Sequence, residues 1–454
     1  MNKRTFLKLS STLMAAPLLP PFIRKMQNQQ PITNWAGNLT YGTTNIEYPT
    51  SVDALQQLVK KYNKVKVLGT RHCFNTIADS KDRFISLRDM NKIIALDQQA
   101  QTVTVEGGIK YGELAPWLNE KGYALHNLAS LPHISVAGAI TTATHGSGVK
   151  NGNLSSAVEA LELVKADGSI VHLSRKDGDH FYAAVVGLGA LGVITKVTLK
   201  VQPTYMMRQY VYEQLPLTQL PKNFDAIMSA GYSVSLFTDW TSDHINEVWV
   251  KSKVSGNAVS TASQGFFGAK PATKNLHPII TLSAENCTEQ LGVPGPWYER
   301  LPHFKMGFTP SSGKELQAEY FVPWSHAVDA IFAIQNMGKT ISPHLFISEI
   351  RSIAADDLWL SPCYKQACAT IHFTLKQETE AVMNLLPLIE KTLEPFHAKP
   401  HWGKLFTMPA AKLTSLHPQL NDFKKIAGEY DPQGKFRNAF LERTYMGQGS
   451  STGE

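Results

Sequence analysis

The sequence predicts an α+β protein built from two domains. A chain of 454 residues is longer than one hydrophobic core ordinarily serves. Its content, 43% hydrophobic and 18% charged, is that of a globular protein rather than a disordered or coiled one. The pattern also changes near residue 203. Short strands and helices interleave before it. Longer strand-like runs with scattered Trp, Pro and Gly follow, separated by helical stretches, which suggests an antiparallel sheet with helices on one face. The expected limits are 1–30 for a leader, 31–203 and 204–430 for the domains, and 431–454 for a final segment.

The leader holds Lys3, Arg4, Lys8, Arg24 and Lys25 and no acidic residue. The other 424 residues carry 39 basic and 37 acidic side chains, so the formal charge of +7 is largely an N-terminal property. A nucleic-acid footprint is therefore not supported. The run to Leu19 is too short and too rich in Ser, Thr and Pro for a stable membrane span. Lys3-Arg4-Thr5-Phe6-Leu7-Lys8 resembles a twin-arginine export signal with lysine in the first place, implying a periplasmic destination. No clear cleavage site follows it.

Thr50 and Asp53 stand at capping-box spacing before Leu55, Leu58, Val59 and Tyr62, which recur as one helix face. Val65 to Leu68 reads as a short strand. Thr102 to Glu106 alternates as a strand, and Leu114, Trp117 and Leu118 mark a helix. Glu162 to Ala166 and Ile170 to Leu173 flank Asp167-Gly168 as a hairpin. A helical run, His180 to Val186, precedes Gly187-Leu188-Gly189-Ala190-Leu191-Gly192, and a β-like run to Val201 follows. The glycines fit a dinucleotide fingerprint as text, but that fingerprint needs its strand first and its helix second. A helix-to-strand turn is the better reading. Beyond residue 203, strands are expected at Glu319 to Val322, Phe346 to Arg351 and Thr370 to Lys376. Helices are expected at Ser325 to Met337 and Gln377 to Leu393.

The segment Val67-Leu68-Gly69-Thr70-Arg71-His72-Cys73-Phe74-Asn75 carries the most chemistry. Successive backbone N–H groups in a glycine-opened loop suit phosphate oxygens, and a histidine beside them can reach a bound cofactor. The run from Asn127 to Gly138, continued by Thr142 to Gly148, is dense in Ser, Thr and Gly. It reads either as lining for a polar cofactor or as a buried loop satisfying its own backbone. Glu349 and Arg351 share one strand face with Ile350 opposite, as a structural salt bridge or as a clamp for hydroxyls. His372 and Thr374 share a face likewise. His401-Trp402-Gly403-Lys404 sets a cation beside an aromatic ring. Together these groups would furnish a sugar-like pocket. The four cysteines, Cys73, Cys287, Cys363 and Cys368, form no metal pattern, and spacing leaves open whether Cys363 and Cys368 pair.

These segments resemble the FAD-linked oxidases of the vanillyl-alcohol oxidase superfamily, in the alditol (xylitol/sorbitol) oxidase branch with a D-arabinono-1,4-lactone oxidase-type C-terminal domain. The likeness runs through Asn34-Trp35-Ala36-Gly37-Asn38, the His72 loop, Ala129 to Gly138 and Ser233 to Trp240. It continues through Asn286 to Gln290, Gly295-Pro296-Trp297, Thr309-Pro310-Ser311-Ser312-Gly313, Pro400 to Lys404 and Asp431 to Phe436. It implies a PCMH-type FAD domain split in sequence, with 431–454 returning to it and a substrate domain capping the flavin. It implies FAD bonded covalently to His72. Val67, Leu68, Gly69, Thr70, Arg71, Cys73, Ser130, Ser135, Gly138, Thr142, Ala143, Thr144, His145 and Ile194 would hold FAD. Ser130, Gln317, Glu349, Arg351, Thr374 and Lys404 would surround the substrate, with Arg351, Lys404 and Glu349 catalytic, and no metal is implied. The implied reaction oxidises the terminal CH2OH of a polyol by hydride transfer to flavin N5, with O2 reduced to H2O2 by a monomer. An aldonolactone oxidase is the alternative. Arg71 and Cys73 depart from the small Gly and Ser usual in this loop, and Arg71 could pair with pyrophosphate or crowd it.

Overall fold

The computed structural model describes residues 30–254, 265–307 and 315–446. The expected export signal and the stretch Thr309 to Gly313 lie outside the described residues. Up to residue 203 there are two sheets and one two-stranded pair, Tyr123–Ala124 with Gln202–Pro203. Strands Ile46–Glu47, Phe84–Ile85 and Lys66–Val67 lie parallel in that spatial order. Against them packs helix Val52–Lys61 through Leu55 and Val59. Its cap is Ser51, not Thr50. Ser51 has an extended backbone, and its hydroxyl accepts from the Ala54 N–H at 3.2 Å. That shift by one residue puts Asp53 in the first turn, where it complements the positive helix end instead of closing a capping box.

The second sheet is antiparallel, in the order Ile93–Asp97, Thr102–Glu106, Val193–Lys200, Val158–Val164, Ile170–Ser174. The hairpin turns at Gly168 with φ +81°. Helix Asp179–Val185 leads into strand Val193–Lys200 through the glycine run, as the reversed order of elements required. Gly192 adopts φ +154°, and a Cβ there would stand 2.4 Å from the Val164 carbonyl oxygen. Only glycine makes this approach.

Beyond residue 203 a larger antiparallel sheet runs Met206–Pro216, His244–Lys253, Ser233–Thr238, Leu345–Ile353, Cys368–Lys376, Glu315–Pro323, Lys399–Pro400. Its residues alternate, apart from a bulge between Leu345 and Ile347. Leu316, Ala318, Ile350, Ile371 and Phe373 join the main core, with helices Leu220–Met228, Ala327–Gln335 and Thr379–Leu393 packed on that side. Gln317, Glu319, Glu349, Arg351, His372 and Thr374 turn the other way, onto a cavity shared with the loops of the first sheets. The C-terminal segment crosses back: Lys435 Nζ donates to the Val59 carbonyl, and Asn438 Nδ2 to those of Thr76, Ile77 and Asp79. No described helix is long and apolar enough to cross a membrane. The four cysteines are free thiols; Cys363 and Cys368 are buried beside Phe321 and Ile353.

Candidate active site

One continuous cavity runs from the His72 loop to the polar face of the large sheet. Val67 to Phe74 form one wall. Gly69 approaches so closely that a Cβ there would meet Ser135 Oγ at 3.0 Å, and one at Gly138 would meet it at 2.7 Å. Ser135 N donates to Thr70 Oγ1 at 3.4 Å, tying the two cradle segments together. His72 Nδ1 lies 3.1 Å from the Thr70 carbonyl, which fixes a proton on Nδ1. Its Nε2 is buried without a partner. The ring stacks on Trp35 at 5.1 Å and tilts against His133 at 4.8 Å. Burial, reinforced by His133, pulls its pKa down to about 3, so the imidazole is neutral and its free nitrogen nucleophilic at ordinary pH.

Of the residues expected beside a cofactor, Val67 to Cys73, Ser130, Ser135, Gly138, Thr142, Thr144, His145 and Ile194 all line this cavity. Ala143 does not. It sits in the hydrophobic core at φ +56°, a turn that sends its methyl inward between Thr142 and Thr144, whose side chains both line the cavity. Arg71, at φ +64°, is exposed, and its guanidinium donates to the Thr33 carbonyl at 3.1 Å. It is anchored to the protein surface and does not crowd the cradle. Cys73 packs toward Gly403, where a Cβ would lie 3.4 Å from its sulfur. The glycine turn rejected as a dinucleotide fingerprint also reaches the cavity: Lys66 Nζ, itself on the wall, donates to the Gly189 and Phe436 carbonyls at 3.2 Å each.

The opposite wall is a patchwork of buried charge. Arg351 Nη2 lies 2.8 Å from Glu319 Oε1, and its Nε lies 3.5 Å from Glu349 Oε1. His145 Nε2 faces the same Glu319 oxygen at 3.1 Å. Burial alone would raise the Glu349 carboxyl, but Arg351 and the His303 hydrogen bond outweigh it and hold the group far below the carboxylate range. Glu319 is held down similarly by His145 and Arg351. Lys404 donates to Gln317 Oε1, and its ammonium lies 4.8 Å from the Phe74 ring centre. Burial lowers its pKa, with Glu319 opposing. Asn75 clamps this strip by donating to the carbonyls of Trp402 at 2.9 Å and Lys404 at 2.6 Å. The His72 loop is thereby locked to the lysine it faces. Trp402 is not the aromatic partner of that lysine. It is fully buried, bonds the Leu360 carbonyl at 2.7 Å and packs on His417.

Glu319 and His303 escaped the sequence reading. Glu319 had a signal: Glu315, Gln317 and Glu319 alternate along one strand, a polar stripe that a strand begun at Glu319 conceals. His303 lies in an irregular segment with no periodicity to betray it. Among the described residues His145, Glu319 and His401 could converge on a cation, their ligand atoms lying within 4.8 Å of one another. The Arg351 guanidinium already occupies the carboxylate, so a metal there would meet a like charge.

Such a site can hold an extended polar cofactor on bare backbone and hydroxyls, present it to a neutral imidazole, and set two cations beside a hydroxyl-rich substrate. Residues 44–174 match the FAD binding domain family, and residues 309–444 match the D-arabinono-1,4-lactone oxidase family. Alditol oxidase of a Streptomyces species is 45% identical over 414 residues, covering 90% of this chain and 98% of that one. L-gulono-1,4-lactone dehydrogenase of Mycobacterium tuberculosis is 28% identical, again with 90% and 98% covered. The fold superposes on cholesterol oxidase from B. sterolicum with a TM-score of 0.74 at 13% identity, over 95% of this chain and 100% of the other.

Proposed function

Because the chain belongs to the FAD-linked oxidases of the vanillyl-alcohol oxidase superfamily, in the branch that includes alditol oxidase, we propose that it oxidises the terminal CH2OH of a polyol such as xylitol or sorbitol to the aldose. The balanced reaction is RCH2OH + O2 → RCHO + H2O2. The residues present fit FAD: a glycine cradle that a Cβ would fill, hydroxyls along the wall, and one buried imidazole nitrogen with no partner. We assign that imidazole, His72, as the covalent anchor. When bound, FAD supplies the acceptor for the two electrons and passes them to oxygen.

The protein supplies position and charge. Arg351 and Lys404 lower the cost of negative charge developing on the substrate oxygen. Glu349 orients hydroxyls and Arg351. Glu319 holds the far arm of the guanidinium. Gln317, Thr374 and Ser130 fix the remaining hydroxyls, so that the terminal carbon is held for attack. Ala129, nearly buried on the cavity wall, leaves space for oxygen. The leader, by its Lys3-Arg4 motif, would export the chain after it has folded around its cofactor.

The observation that carries this reading is a polar sheet face of buried carboxylates and the Arg351 guanidinium, joined by Lys404 from the loop after Lys399–Pro400, turned onto the same cavity as His72. Steady-state oxygen uptake tests it. Xylitol or sorbitol should be turned over with one peroxide per oxygen, faster than L-gulono-1,4-lactone. The match of residues 309–444 to the lactone oxidase family supports the second reading, a lactone CH–OH as substrate, and faster lactone turnover would establish it.

A further inference from the structure

We propose that Lys251 is a positioning residue for this reaction: acting through His303, it fixes the orientation and the ionised state of the Glu349 carboxylate. The inference rests on the polyol oxidase reading and concerns a part of the molecule behind the cavity.

Strand Ser233–Thr238 separates Lys251 from Glu349 in the sheet, so the two do not pair directly. His303 bridges them. Its Nε2 lies 2.8 Å from Glu349 Oε1, and its Nδ1 lies 3.1 Å from Lys251 Nζ. The ring is wedged edge-on against Phe237 at 5.5 Å and Trp249 at 5.2 Å, which holds it in plane. Lys251 is 1% exposed, and its Nζ also meets the Leu301 and Pro302 carbonyls at 2.6 and 3.0 Å.

Three proton arrangements satisfy these contacts; one of them, a doubly protonated His303 between a neutral amine and a carboxylate, is opposed by the burial and the Lys251 charge that pull His303 down to about 4. In the first of the other two, an ammonium donates to both carbonyls and to His303 Nδ1, and His303 donates from Nε2 to a Glu349 carboxylate. In the second, a neutral amine accepts from Nδ1–H, and Nε2 accepts from a protonated Glu349. Arg351, 3.5 Å from the same Glu349 oxygen, favours the carboxylate and so selects the first. Three acceptors around Nζ likewise match an ammonium's three donors. Burial works against that charge, pulling Lys251 down to about 7, with Glu349 opposing. A methionine would fill the same space without this desolvation cost, so stability alone does not explain a lysine here. Remove the ammonium, and His303 is free to carry its proton on Nδ1. It would then turn a lone pair on Glu349 at hydrogen-bonding distance, and the carboxylate would rotate off Arg351 or take up a proton.

The test uses the full-length, flavin-loaded enzyme and its K251M, H303L, H303Q and K251M/H303L variants. Each is mixed with xylitol without oxygen, and the limiting rate of flavin bleaching and the xylitol Kd are read separately. K251M and H303L should each lower the limiting rate by about 10- to 100-fold, with Kd changed much less. The double variant should be no slower than the slower single, because both break one path. H303Q should recover to within about threefold, since its amide can donate to Glu349 and accept from Lys251. A K251M enzyme reduced at the wild-type rate, or a double variant as slow as the product of the singles, overturns the role. Should K251M fail to fold, the histidine variants decide: H303Q as slow as H303L also overturns it. Wild-type flavin that xylitol leaves oxidised overturns the polyol reading and this role with it, whereas intact wild-type reduction with unimpaired K251M overturns the role alone.

Discussion

Replacing Arg351 with lysine keeps the charge and removes the fork, and the structure lets its effect be sized. The guanidinium spans two carboxylates, reaching Glu319 at 2.8 Å and Glu349 at 3.5 Å. An ammonium is a point charge and cannot hold both oxygens in these positions. A pair near 4 Å is worth about 4 kcal/mol at an effective dielectric of 20. Relaxation of the lysine toward one partner recovers part of it, leaving about 2–3 kcal/mol, or about 30- to 150-fold in rate. Arg351→Lys should therefore slow xylitol-driven flavin reduction by that factor, and Arg351→Met by about 1000-fold, as when a positioned charge donor is lost outright. The assay is anaerobic rapid mixing at saturating xylitol, followed at the flavin band. An R351K enzyme within about twofold of wild type would refute the argument that the reach of one guanidinium to two carboxylates, and not charge alone, serves the reaction.

His72→Ala should release its flavin on acid precipitation where the wild type keeps it, and equal release from both would show that no covalent bond exists. Ala129→Leu should slow reoxidation of the reduced enzyme by about tenfold or more while leaving anaerobic reduction nearly intact, because it fills cavity wall rather than the polar face; unchanged oxygen kinetics would remove the oxygen-access role. Glu319→Gln should cost about 3–5 kcal/mol of stability at neutral pH, since it breaks a buried pair. The folded-state pKa of Glu319 is depressed, so its contribution is present above the ordinary glutamate value of 4.5 and is lost as pH falls through the folded value. The gap in denaturant midpoint between wild type and E319Q should accordingly narrow on acidification below pH 4.5, and a constant gap would contradict the assignment.

The resemblance implied most of this site, and strand periodicity alone made part of it legible. Alternation alone put Glu349 and Arg351 on one face with Ile350 behind them, and the structure has Ile350 in the core and both charges on the cavity. The reversed helix and strand around Gly187 to Gly192 likewise sufficed to reject a dinucleotide fold. What stayed hidden depended on long-range contact. The cap shifted from Thr50 to Ser51 because backbone geometry, not spacing, chooses the residue whose hydroxyl reaches the helix. Ala143 turned into the core because a left-handed residue reverses the side-chain direction expected of its neighbours. Trp402 and Lys404 are close in sequence yet face different surroundings, the tryptophan bonded to Leu360 and the lysine over Phe74. Lys251 and His303 reach Glu349 only across an intervening strand, a relation no local pattern encodes.

The most direct trial is an absorbance spectrum of the purified protein, recorded without oxygen before and after adding xylitol. A flavin band that bleaches within the mixing time and returns when air is admitted is the expected result. A colourless protein that cannot be loaded with FAD, or a flavin that stays oxidised in every alditol offered, would contradict the account.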